Sequence, residues 1–178
     1  MIRKKVASIL VILVAVLLQT TVFQKLALAD VVPNFLLVVT VSYAYLRGRT
    51  SGILVGLLCG LILDMGYGSV IGLYALAFIT IGFLVGFCQK FYFRENMILP
   101  AILITVSDLF YGIYYYITEF LVRAKTHFGF YFAHIILPEV IYTAVVGILV
   151  YRLIVALDSA LSQKNDIVFQ KREEMDYD

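Results

Sequence analysis

Between Pro33 and Gly86 the chain offers no polar helical face. The stretch reads PNFLLVVTVSYAYLRGRTSGILVGLLCGLILDMGYGSVIGLYALAFITIGFLVG. A helix at a water interface keeps a polar stripe opposite its apolar one, and a helix apolar all round is buried in protein or lipid. Lipid is therefore the predicted solvent. Glycine recurs within the stretch at a fixed interval: Gly48, Gly52, Gly56 and Gly60 stand four apart, and Asp64 takes the next place. Positions four apart lie roughly on one side of an α-helix. A stripe without side chains lets a neighbouring helix approach closely, as small-xxx-small seams do in membranes. Asp64 then faces protein rather than lipid, and Gly82 and Gly86 repeat the spacing downstream.

Composition bounds the class. The chain is 62% hydrophobic and 15% charged, with a mean hydropathy of +0.96, which excludes an ordinary soluble domain. Its 178 residues allow one compact membrane domain. A net charge of +2 argues against a nucleic-acid partner. Cys59 and Cys88 both lie in apolar runs and read as buried small hydrophobes.

Six transmembrane helices in one all-α bundle are expected, at about 6–26, 31–46, 50–65, 71–87, 97–121 and 135–157. Residues 1–157 then form the membrane domain, and 158–178 a mobile polar tail. The first run reads as a retained helix rather than a cleaved signal, although Ala27-Leu28-Ala29 resembles a cleavage site. Pro33, Pro100 and Pro138 fall in first helical turns, where the missing N–H costs nothing. Gly66, Gly68 and Gly72 predict a tight turn before the fourth span.

Charge sets the expected orientation. With six crossings and an internal N-terminus, only Lys25, Arg123 and Lys125 of the 14 basic residues lie outside. The other eleven lie in the cytoplasm, a clear positive-inside bias that places both termini there.

Ionisable residues within spans are costly and usually face the bundle interior. Asp108 lies near the middle of the fifth span, on one face with Ile104, Tyr111, Tyr115 and Glu119. The sixth span offers Glu139, Tyr142 and Thr143. This polar seam reads either as a substrate or proton path, or as carboxyls bonded to tyrosines across a helix contact. An Asp64–Asp108 protease dyad is disfavoured, because a catalytic pair must share one depth. No Cys or paired carboxylate stands at metal-ligand spacing from His127 or His134, which read as interfacial residues. No GxxxxGK[ST] loop is present, and no nucleophile stands with a base, so the expectation is no enzyme, no metal and no cofactor.

The motif order resembles that of the bacterial rod shape-determining protein MreD family. The likeness rests on Pro33-Asn34, Arg47-Gly48, Gly52, Gly56 and Gly60, Leu61 through Asp64, Gly72-Leu73 and Ala75-Leu76. Pro138-Glu139 opens the last span as the family's pattern does, whereas Asn34 stands where the family often has Asp. The resemblance implies a non-enzymatic scaffold of the cell-elongation machinery in the bacterial cytoplasmic membrane. It implies binding to an MreC-like bitopic protein, and indirect association with the RodA-type glycosyltransferase, a class B penicillin-binding protein and the MreB filament in peptidoglycan synthesis. It also implies a fold like the substrate-binding component of energy-coupling-factor transporters. The alternative function is then a vitamin-type uptake component, with Asp64, Glu119 and Glu139 converging near the outer face. For a scaffold, the expected partner-binding or helix-packing residues are Arg47, Arg49, Gly52, Gly56, Gly60, Asp64, Gly82 and Gly86. A partner helix is expected on the exposed edge of the second to fourth spans and near Tyr67 and Phe128.

Overall fold

A computed structural model describes residues 2–22, 32–67, 71–91, 97–123 and 128–176. Its described residues are helical, with no strand among them. The helices are α1 (Ile2–Leu17), α2 (Phe35–Arg47), α3 (Arg49–Tyr67), α4 (Leu73–Phe87), α5 (Ile98–Arg123), the single turn α6 (Phe128–Tyr131) and α7 (Leu137–Asp176). A π-helical turn, Leu18–Val22, extends α1, and a second, Phe132–Ile136, joins α6 to α7. Lys25, Asp30, Gly68, Arg94, Lys125 and His127 lie outside the described residues, as does the Ala27-Leu28-Ala29 segment.

The shortest long helix is the hub. Every residue of α2 from Phe35 to Tyr45 is buried, and α1, α3, α4, α5 and α7 all pack against it. At 13 residues it is about 20 Å long, well short of a hydrocarbon core of about 30 Å. Because α2 faces protein on all sides, lipid thickness does not set its length. Its hydroxyls are satisfied within the helix: Thr40 donates to the Leu36 carbonyl at 2.9 Å and Ser42 to that of Val38 at 2.6 Å.

One residue ends α2 and begins α3. The Gly48 N–H donates to the Ala44 carbonyl at 2.9 Å, and its own carbonyl accepts from Gly52 N at 3.0 Å. Its φ of 85° is left-handed, and a Cβ there would also strike the Gln89 side chain. Both constraints select glycine. Beside this corner Arg47 pairs with Asp158 of α7 (Nε to Oδ1 3.1 Å) and lies over the Tyr43 ring.

Among the described helices, α3 and α4 make the most intimate contact. A Cβ on Gly52 would meet the Gly82 carbonyl, and one on Gly56 the backbone of Phe78. One on Gly60 would meet Ala75, and one on Gly86 would meet Arg49. The register is antiparallel, and the backbones touch where side chains are missing. Gly66 does not belong to this seam: it lies inside α3, and a Cβ there meets nothing within 4 Å. Gly72 does serve the turn, with a φ of 104° just ahead of α4.

Four described helices are long and apolar enough to cross a membrane: Arg49–Gly66, Leu73–Lys90, Ile98–Thr118 and Phe132–Ala160. Ile9–Thr21 and Phe35–Arg47 are shorter apolar helices. Exposed Ile141, Val145, Leu149 and Leu153 form a continuous stripe along α7. Leu54 and Leu58 of α3, and Phe83 and Leu84 of α4, are exposed too. Faces of this kind suit lipid, not water.

Two departures from the sequence expectation follow from local chemistry. Pro138 lies within a continuous helix, where proline removes an N–H and crowds the carbonyl four residues back. The helix widens there, and Leu137 N bonds to the Phe132 carbonyl five residues back. The polar tail is helical, for α7 continues unbroken to Asp176.

Candidate functional site

Two groups of buried polar side chains stand near one end of the described bundle, the end where α2 and α4 begin. The first is built on Asp64. The start of α4 has no side-chain cap of its own, because its N-cap residue is Gly72. The opening N–H groups of a helix have no partner within it. Asp64, projecting from α3, supplies them: Oδ1 accepts from Tyr74 N at 3.0 Å and Oδ2 from Ala75 N at 3.1 Å. The carboxylate is 2% exposed and lies at the positive end of the α4 dipole. Tyr114 of α5 completes the junction by donating to the Leu73 carbonyl at 3.2 Å. Asp64 is thus engaged on both oxygens and anchors the α3–α4 pair.

The second group lies where α2, α5 and α7 meet. Asn34 caps α2, its side-chain oxygen accepting from Leu37 N at 3.2 Å. Gln19, in the π turn after α1, accepts from Leu36 N at 3.2 Å, so a second side chain closes the same helix start. The Asn34 backbone N–H donates to Thr143 Oγ1 on α7 at 3.1 Å. Beside this pair stands Asp108, 1% exposed, with Asn34 and Thr143 as its polar neighbours. Neither of its oxygens has a partner in hydrogen-bonding geometry. Glu139 is close enough for the two carboxyl charges to act on one another. Both act on Tyr111, which stacks with Tyr115 (centroids 6.3 Å apart) and approaches Tyr74 at the same spacing.

Sequence reasoning placed Asp108, Tyr111 and Tyr115 on one inward face of α5, which is where they lie. It did not bring Asp108 to Asn34 and Thr143. No periodicity within α5 encodes which neighbouring helices its polar residue meets. The suggested convergence of Asp64 with Glu139 is not seen in the contacts: Asp64 turns to the α4 backbone, and Glu139 to Asp108. The side chain of Glu119 lies outside the description, as do those of Tyr67 and Phe128.

Of the two roles expected for the glycines, the contacts show helix packing: Gly52, Gly56, Gly60, Gly82 and Gly86 are all buried in the α3–α4 contact. Arg47 has its acidic partner within the chain in Asp158, and Arg49 lies over the Phe87 ring at 4.5 Å. Cys59 is buried and Cys88 half-buried, both as free thiols. His134 is exposed. No group of three or more His, Cys, Asp or Glu at metal-binding distance occurs among the described residues. A cleft of about 290 Å³ between α1, α2 and α3 is lined by Val16, Gln19, Leu36 and Leu63, and is almost wholly apolar.

A family model described as rod shape-determining protein MreD matches residues 1–159. No curated protein and no solved structure matches the chain.

Proposed function

The chain belongs to the MreD family of rod shape-determining proteins, and on that premise we propose that it is a non-enzymatic scaffold of the cell-elongation machinery. The observation that carries the reading is the family match over residues 1–159, which spans all six long helices and stops within α7. It supports a multi-pass membrane protein with a role in cell shape. In the proposed role the bundle binds an MreC-like bitopic protein and through it helps position peptidoglycan synthases. Six crossings with both termini in the cytoplasm accompany the proposal, on the strength of the basic-residue bias.

The occupied glycine seam moves the proposed docking edge outward. A single partner helix lies along the exposed side of α3 and α4, over Leu54, Leu58 and Leu84. The aromatic pair Phe83–Phe87, with centroids 4.9 Å apart, borders this edge, and Arg49 covers its Phe87 end. Photo-crosslinkers at Leu58 and Leu84 in native membranes test this. Capture of an MreC-type protein from both positions, but not from Leu149 on α7, is the expected result. Capture from Leu149 alone, or recovery of ATPase subunits instead of cell-wall proteins, refutes it.

One observation favours the alternative reading, a substrate-binding component resembling those of energy-coupling-factor transporters. The Asp108–Glu139 group and its tyrosines gather several polar groups at one place, as a ligand pocket does.

A further inference from the structure

Among the described residues no Lys or Arg side chain pairs with the buried carboxyls. Asp108 is 1% exposed with both oxygens unpartnered, and Glu139 is its electrostatic neighbour. An ionised carboxylate inside a membrane protein needs a positive partner or a dense set of donors. The described Lys and Arg side chains of the bundle stand elsewhere. Arg47 and Arg49 stand at the corner where α2 ends and α3 begins, about 20 Å along α2 from Asn34. Lys90 follows the far end of α4 from Tyr74. Arg152 is exposed, about 20 Å along α7 from Glu139.

The remaining walls of the group are aromatic. Tyr74 of α4 meets Tyr115 of α5 at 5.8 Å, and Tyr111 stands edge-on to Phe78 at 5.6 Å. Tyr74, Tyr111, Tyr115 and Glu139 are each half-buried, and Asp108 is fully buried among them. Carboxylates beneath tyrosine faces are the pairing that binds an organic cation, whose charge is attracted both by the anion and by the ring quadrupole. A metal ion fits less well. No third His, Cys, Asp or Glu joins the pair among the described residues. The two neutral oxygens at hand, Asn34 Oδ1 and Thr143 Oγ1, already accept backbone N–H bonds.

We propose that Asp108 and Glu139, walled by Tyr74, Tyr111 and Tyr115, form a binding site for one ammonium or guanidinium group. Binding of the cation itself does not depend on the scaffold reading, and only the choice of a partner side chain as its source rests on that reading. The shared chemistry has two sources, a free amine of small size or a Lys or Arg side chain of a membrane partner, and the test separates them.

Agmatine is the probe, titrated calorimetrically into the full chain in lipid nanodiscs. The wild type should bind it saturably at one site. Glu139→Gln and Asp108→Asn should each weaken binding at least tenfold, and Tyr115→Leu several-fold. Asp158→Asn, which removes a carboxylate at the other end of the bundle, should leave binding unchanged. Thermal melts of each variant separate lost binding from lost folding, and partly exposed Glu139 is the substitution least able to disturb the core. Binding that persists when the co-purified bitopic partner is present indicates a free amine. Binding blocked by that partner, and restored when the partner's Lys and Arg flanking its span are changed to Gln, indicates a side chain. Absence of saturable binding to the wild type, or equal binding to wild type and Glu139→Gln, overturns the proposal.

Discussion

Asp64 supplies from a neighbouring helix the cap that α4 lacks. Its two oxygens take the N–H groups of Tyr74 and Ala75, and hydrogen bonds to a charged acceptor are worth about 1.5–3 kcal/mol each. Asp64→Asn retains one acceptor oxygen and turns an NH₂ toward the other N–H. Asp64→Leu leaves two buried donors unpaired. The expected loss is about 1–2 kcal/mol for Asn and at least twice that for Leu, read from thermal melts of the purified protein in nanodiscs. Equal melting of the two variants would show that Asp64 is not a cap. Asn34 is the corresponding cap within α2, where a neutral amide oxygen caps as well as a carboxylate does. Asn34→Ala should cost about 1 kcal/mol in the same melts, while Asn34→Asp should keep the cap but add a charge beside Asp108. Asp should therefore be the worse of the two, an ordering opposite to that at an isolated helix.

At the scale of elements, the α3–α4 pair is decided by missing side chains. In a membrane, helices gain little by leaving lipid, so close backbone approach carries the association. A Cβ at Gly56 collides with backbone rather than with a movable side chain. Gly56→Leu should force the helices apart and cost about 3 kcal/mol or more, the upper end of overpacking. Gly66→Ala is the internal control. Its site is open and helical, and alanine there should raise stability by about 0.5–1 kcal/mol. Opposite signs from two glycines of one helix, measured by melting, are the expected outcome; the same sign from both would contradict the seam.

At the scale of the molecule, α2 is a buried hub whose ends are tied to α7 by different chemistry. Asn34 and Thr143 join at one end, and Arg47 and Asp158 at the other. The ion pair is partly exposed, at 20% and 26%, so screening limits it to about 0–1 kcal/mol. A double-mutant cycle on Arg47→Gln and Asp158→Asn should return a coupling no larger than that. Topology gives the prediction for the whole chain. Cysteines introduced at Asp30 and Lys125 should label from outside intact cells, and those at Arg49 and Lys171 should not. Labelling at Arg49 would overturn the orientation.

The sequence by itself determined the class of this protein, since apolar runs without a polar face leave lipid as the only suitable solvent. It determined the glycine period on α3 and the inward face of α5, because both follow from a repeat along one helix. It carried the family resemblance for the same reason, through short local motifs. Only the tertiary structure decided what those features meet. The glycine seam closes on α4 rather than on a partner, because the antiparallel register places Gly82 opposite Gly52. Asp64 turns to the start of α4, which Gly72 leaves uncapped. Asp108 comes to stand beside Glu139, Asn34 and Thr143 because α2 is a hub shared by α5 and α7. Periodicity reports which side of a helix faces inward. Which helix waits there depends on packing between segments far apart in the chain, and no local pattern encodes it.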